Sequence, residues 1–205
     1  MQRPHLIIVA GCNGAGKLTY SSSIVENVVP FDYDKRFIEI YQSMQDSELR
    51  EQFALDKTTS EINHLIETAF VTDTSFCFET NLHDYPETWI KKAKELNYII
   101  DMYFFCLENI EMAKDRVAIR AKNKGHFVPE NVINYKWKEG YKNVNHHFSD
   151  FDYIAFIDNS EELIPKILFE MNKVAIEEFA IYVFVNKLPA YIPIRFPDIF
   201  KLYHK

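Results

Sequence analysis

The sequence predicts an α/β fold: a doubly wound, mainly parallel five-stranded sheet with flanking helices. Three observations predict it. A short apolar run, Leu6-Ile7-Ile8-Val9-Ala10, stops at a glycine-rich turn and is followed by a helix-compatible segment. Strand-like runs then alternate with helix-period segments along most of the chain. The run at 98–107 is nearly all apolar, as expected of a strand covered on both faces.

The turn itself reads Gly11-Cys12-Asn13-Gly14-Ala15-Gly16-Lys17-Leu18-Thr19. Strand, Gly-x-x-x-x-Gly-Lys, helix is the order of a phosphate-binding loop. Its glycines let the backbone bend until several N–H groups point at one anion. The following helix adds the positive end of its dipole, and Lys17 reaches the outer phosphates as a point charge. One position departs from the pattern. A Ser or Thr that ligates Mg²⁺ normally follows the lysine, and here it is Leu18. Thr19 sits about 100° further around the helix, so its hydroxyl is expected to point elsewhere. Mg²⁺ is therefore expected to be held by phosphates and water rather than by a protein ligand.

The remaining elements follow in order. The first helix runs to about residue 27, and residues 28–31 read as a short second strand ending at Asp32-Tyr33-Asp34. Residues 35–55 look helical, with a turn near 45–47. Thr58-Thr59-Ser60 offers an N-cap for a helix whose Ile62, Leu65, Ile66, Ala69 and Phe70 share one face. Residues 75–80 form a buried strand with a polar C-terminal end. Asp84 is placed to cap the next helix, with Glu87 at the capping-box position. Trp89, Ala93 and Leu96 face inward there, and Asn97 suits a left-handed stop. After the strand at 98–107, helices are expected at 109–124, ended by Gly125, and at 129–147. Residues 152–157 give the fifth strand. In the tail, 160–168 reads as helix, 179–185 as strand and 196–203 as a short helix. Residues 1–160 are the expected core, and 161–205 an extension packed on the same domain.

Composition narrows the setting. A chain of 205 residues fits one domain. A net charge of −7 argues against nucleic-acid or anionic-membrane binding. No run approaches a membrane span, and residues 1–10 lack the pattern of a secretory leader. Three cysteines are an odd count: Cys77 and Cys106 lie in apolar strands and Cys12 in the loop, which fits a reducing cytoplasm.

The sheet's C-terminal edge gathers the loop, Asp32 and Asp34, then Glu79, Thr80 and Asn81. A phosphoryl acceptor needs a group to take its hydroxyl proton, and Asp34 is the choice for that base, with Asp32 in reserve. Both could instead cap the following helix. Glu79 could bind a substrate hydroxyl, order a metal-bound water or pair with a base, and Thr80 could position substrate or shape the loop. Arg116, Arg120 and Lys124 share a helix face suited to closing over a transferring phosphoryl group. Residues 121–136, with Lys122, His126 and Lys136, read as a mobile lid. His126, His146 and His147 lack carboxylate or cysteine partners at ligand spacing, and solvent exposure is the expectation for them.

Taken together, Gly11–Lys17, Phe31-Asp32-Tyr33-Asp34 and Ser75-Phe76-Cys77-Phe78-Glu79-Thr80-Asn81-Leu82 resemble the zeta-toxin family of P-loop kinases. So do Arg116–Arg120, Gly125–Pro129 and Ile157–Ser160, and the likeness covers about residues 5–160. The resemblance implies a kinase that uses ATP and Mg²⁺ to phosphorylate a sugar nucleotide, typically UDP-N-acetylglucosamine, and it raises an antitoxin protein as a candidate partner. It implies that Lys17 holds phosphates and Asp34 is the base. Glu79, Thr80 and Asn81 would contact the acceptor, and Arg116 and Arg120 would clamp ATP. Lys136 stands in a stretch where the family carries arginines, and Tyr33 stands inside the family's second-strand motif, where its bulk would reshape the acceptor pocket.

Overall fold

The computed structural model describes residues 3–24, 28–122, 128–161, 164–176 and 178–203. The chain starts with β1 (His5–Gly11), α1 (Lys17–Ile24), β2 (Phe31–Asp32), α2 (Tyr33–Ser43) and α3 (Arg50–Thr72). Next come β3 (Phe76–Thr80), α4 (Glu87–Glu95), β4 (Ile99–Cys106), α5 (Ile110–Lys122) and α6 (Glu130–His147). It finishes with β5 (Tyr153–Asp158), β6 (Lys166–Ala175), β7 (Glu178–Val183), α7 (Tyr191–Arg195) and α8 (Pro197–Tyr203).

The sheet has seven strands in the order β2-β3-β1-β4-β5-β6-β7. Every pairing from β2 to β5 is parallel, and β6 and β7 are antiparallel. The five parallel strands are the ones the sequence predicts, and the tail adds two more. The apolar run of β1 explains its central place. Leu6, Ile8 and Ala10 join one core cluster while Ile7 and Val9 join the other, so each face of the strand is buried. Because β1 lies between β3 and β4, the chain leaves it at the point where the strand order reverses, and a crevice opens there at the C-terminal edge.

Several boundaries differ from expectation, each for a local reason. Thr58 does not cap a helix: it is buried inside α3 and its hydroxyl donates to the Ala54 carbonyl at 2.7 Å. Asp84 does not cap α4 either. Pro86 occupies that place, and Asp84 pairs with His83 at 3.3 Å. Leu96 is 41% exposed rather than inward-facing, while Asn97 has the predicted left-handed φ of 61°. The second strand is shorter than expected, because Asp32 already caps α2 by accepting the Lys35 N–H. No helix covers the described part of 160–168. Asp158 turns the chain by accepting from the Ser160 N–H and hydroxyl, and Lys166 onward pairs with β5. Helix-compatible residues here are overruled by the open edge of the sheet.

The tail is also tied inward by one cation. The guanidinium of Arg195, at the end of α7, donates to the Leu107 and Glu108 carbonyls, where β4 passes toward α5. It lies against the rings of Trp137, Tyr141 and Tyr191.

Candidate active site

β1 delivers the chain into the turn at 11–16, and α1 begins at Lys17. Gly14 and Gly16 take φ of 78° and 89°, where side chains are disfavoured. A β-carbon at Gly14 would lie 2.7 Å from the Ala113 carbonyl, so α5 packs directly on the loop. One at Gly16 would collide with the Asn159 amide. Asn159 holds the turn from the other side. It is buried, and its amide donates to the Ala15 carbonyl at 2.8 Å. Ala15 itself is fully buried. The Cys12 thiol is buried beneath the loop and pushed up to about 12 by desolvation, so it stays protonated and is no nucleophile. Asn13 is buried too, and its Oδ1 has no partner among the described residues.

Lys17 donates to the Gly11 carbonyl at 2.6 Å, to the Cys12 carbonyl at 3.2 Å and to Asn81 Oδ1 at 3.4 Å. Burial lowers its pKa, opposed by the charges of Asp34 and Glu79 among others. Asn81 is therefore in contact with the loop lysine. Glu79 lies on the β3 edge in register with Asp32. Its Oε1 accepts from the buried Ser21 hydroxyl at 2.6 Å. Desolvation raises the Glu79 pKa, with Ser21 and Lys17 pulling it back. Thr80 uses its hydroxyl to accept the Leu82 N–H at 2.9 Å, the loop-shaping alternative, although it also lines the crevice. Of the two aspartates, Asp32 takes the cap. Asp34 lies in the first turn of α2, and no described residue donates a hydrogen bond to its carboxylate.

Arg116 reaches the Gly14 carbonyl and the Ser160 carbonyl, both at 3.4 Å. Arg120 is one turn along the same helix and is exposed. Lys136 lies near His83, whose pKa is lowered by burial and then by Lys136. Lys124, Gly125 and His126 fall outside the described residues. His146 and His147 sit beside Asp198 and Asp150, at 3.5 and 3.6 Å.

These groups line a single cavity of about 1620 Å³. Asn13, Gly14, Gly16, Lys17, Leu18 and Thr19 form its floor, and Arg116, Arg120 and Lys136 border it. Asp34, Glu79, Thr80 and Asn81 line it as well, with Asn81 in contact with Lys17. Of the predicted loop residues, Gly11, Cys12 and Ala15 are buried behind this surface rather than on it. Sequence reasoning missed Ser21 and Asn159. Asn159 lies just past a strand C-terminus, which is a usable signal; Ser21 gives none, because its partner is distant in sequence.

Magnesium has a poor direct fit. Leu18 is 56% exposed where a hydroxyl would be needed, and Ser21 is engaged by Glu79. Among the described residues no group of three or more His, Cys, Asp or Glu could hold a metal ion. Nor is any described helix long and apolar enough to cross a membrane.

No protein family and no curated protein matches this sequence. Solved structures do match in shape. The chain superposes on one from the PezAT chromosomal toxin–antitoxin system of Streptococcus pneumoniae with a TM-score of 0.62 at 14% identity, covering 100% of this chain and 89% of that one. It superposes on a chain of the AvrRxo1-ORF1:AvrRxo1-ORF2 complex solved with sulphate ions with a TM-score of 0.62 at 12% identity, covering 87% and 61%. The same complex solved with ATP gives 0.57 at 12% identity, covering 87% and 60%. A chain of the Pnkp1/Rnl/Hen1 RNA repair complex gives 0.56 at 19% identity, covering 71% of this chain. This chain spans only 47% of that one and 61% of the first AvrRxo1 chain. At these identities the likeness is one of fold alone, and it agrees with the α/β architecture the sequence predicts.

Proposed function

We propose that this protein is an ATP-dependent kinase that moves the γ-phosphoryl group to a hydroxyl of a small molecule. The carrying observation is one cavity lined by the glycine loop, Lys17 and Asp34, whose carboxylate no described residue hydrogen-bonds. A volume of about 1620 Å³ exceeds the roughly 300–1,000 Å³ typical of one ligand, leaving room for ATP and an acceptor together. A structure of the same fold solved with ATP supports the choice of nucleotide.

In the proposed step, the acceptor oxygen bonds to the γ-phosphorus while the bond from phosphorus to the β–γ bridging oxygen breaks. Asp34 takes the hydroxyl proton, and ADP leaves. Lys17, Arg116 and Arg120 face the charge that spreads over the phosphoryl oxygens, with Lys136 at their border. Asn81 steadies Lys17, and Glu79 and Thr80 border the acceptor. Leu18 offers Mg²⁺ no ligand, so an ion accompanying ATP would be held through phosphates and water and would supply charge neutralisation there.

The resemblance suggests a sugar nucleotide such as UDP-N-acetylglucosamine as acceptor, action in the cytoplasm and an antitoxin that holds the kinase in check. The PezAT likeness is consistent with such a partner. Residues 161–205 belong to the same folding unit in this reading. The test is ATP consumption with Mg²⁺ across a panel of hydroxylated acceptors, beside calorimetric ATP binding. Exposed Leu18 favours one second reading, a nucleotide-binding protein without transfer, and ATP binding with no product from any acceptor would select it.

A further inference from the structure

The cavity is divided by charge, and the sheet order is the reason. β4 and β5 lie to one side of β1, and β3 and β2 lie to the other. Arg116 and Arg120 come from the helix that follows β4. The opposite wall comes from α2, α3 and α4. Asp34, Glu39, Glu51 and Glu87 from these helices line the cavity, as does Asp84 just before α4. Among the described residues Asp34, Glu51 and Glu87 have no ion pair. Lys35, exposed, is the single basic side chain the three helices add to the lining, and Lys136 of α6 acts on the same His83 as Asp84 and Asp34. Arg36 does not offset this, because Glu61 and Glu39 already hold it.

The same wall is aromatic, which is a separate observation. Tyr33, Phe37, Tyr85 and Trp89 line it with Phe78 behind them. Tyr33 is fixed by its hydroxyl against Thr59 at 2.7 Å, and Trp89 meets Phe78 edge-on at 5.3 Å between ring centroids. Rings held in place beside carboxylates recognise a cation through both the ring faces and the charge. A diphosphate asks for the reverse: clustered donors and positive charge. Lys17, Arg116, Arg120 and Lys136 also line the cleft, and the excess of carboxylates on this wall favours a cation there over a second diphosphate.

We propose that the acceptor is a hydroxylated amine, such as an amino sugar or aminocyclitol, whose ammonium lies among Asp34, Glu51, Glu87 and the ring faces while its hydroxyl meets the γ-phosphate. This rests on the kinase reading above and narrows its substrate away from sugar nucleotides. The transfer is the one already balanced: oxygen to γ-phosphorus, proton to Asp34, ADP released.

The test uses the full chain with ATP and Mg²⁺, and matched acceptors that differ in charge: glucosamine and kanamycin, then N-acetylglucosamine, then UDP-N-acetylglucosamine. Calorimetric ATP binding is measured in parallel. The expected result is phosphorylated amine, with kcat/KM at least about tenfold above the N-acetylated compound, the size of roughly one desolvated ion pair. Paired Glu51→Gln and Glu87→Gln changes should cut kcat/KM for the amine several-fold more than for its N-acetyl counterpart, and thermal unfolding checks that these variants fold. Preference for the UDP-sugar, equal use of the N-acetylated compound, or ATP binding with no phosphorylated amine each overturns the acceptor inference while leaving nucleotide binding intact. Absence of ATP binding overturns the kinase reading and this inference with it.

Discussion

The two walls of the cavity are built differently. The proposed phosphate wall is largely backbone, to which Lys17, Arg116 and Arg120 add side chains. Its glycines are pressed against the Ala113 carbonyl and the Asn159 amide, and Ala15 is fully buried. The acceptor wall is side chain. Glu51 and Glu87 are exposed, and Asp34 has no hydrogen-bond donor among the described residues. A wall of backbone cannot change without disturbing the fold, so it suits the constant reactant. A wall of exposed side chains can change at little cost to stability, so it suits the reactant that sets specificity.

That contrast can be broken. The largest expected effect is Asp34→Asn, which should lower kcat by about 10²–10⁴-fold while leaving ATP affinity nearly unchanged. Single-turnover transfer beside ATP calorimetry separates the two. A matching loss of ATP affinity would mean the walls do not act separately. On the backbone side, Asn159→Ala leaves the buried Ala15 carbonyl without its donor, a loss of about 1–3 kcal/mol. It should appear as lower thermal stability and weaker ATP binding with acceptor KM little changed. A rise in acceptor KM alone would refute that division.

Two smaller effects sharpen the comparison at its seam. Leu18→Ser restores a hydroxyl beside Lys17 and should strengthen magnesium-dependent ATP binding several-fold, on the scale of about 1 kcal/mol. Binding titrated with and without Mg²⁺ reads this, and an unchanged magnesium dependence counts against the account of position 18. Glu79 supplies the smallest. Burial raises its pKa above the ordinary value, so the native state holds its proton more tightly than the unfolded chain does. Its cost to stability is therefore present above the folded pKa and fades as pH falls through the window down to the unfolded value of about 4.3. Glu79→Gln keeps an acceptor for Ser21 and should raise the Tm at neutral pH, with the gain shrinking toward pH 4. An equal gain at every pH would place its cause elsewhere.

Legibility followed range. The glycine loop, the five parallel strands and the Asn97 stop are written in adjacent residues, so pattern and spacing expose them. Asp34 was legible as a candidate, but only the Lys35 contact assigns the cap to Asp32. The tail was misread at 160–168, because what decides strand over helix there is the open edge of β5. Arg195 acts on a loop far away in the sequence, and local periodicity carries no trace of such a contact. Thr58 misled for a related reason: a hydroxyl that suits a cap can also satisfy itself one turn back.

The Arg195 contact has a consequence for how the ends of the chain cooperate. A guanidinium that comes well after α5 in chain order fastens the peptide groups from which α5 departs. Until the ribosome has released that residue, the joint below Arg116 and Arg120 lacks its rivet. The base of α5 should therefore settle only after the glycine turn upstream of it has closed.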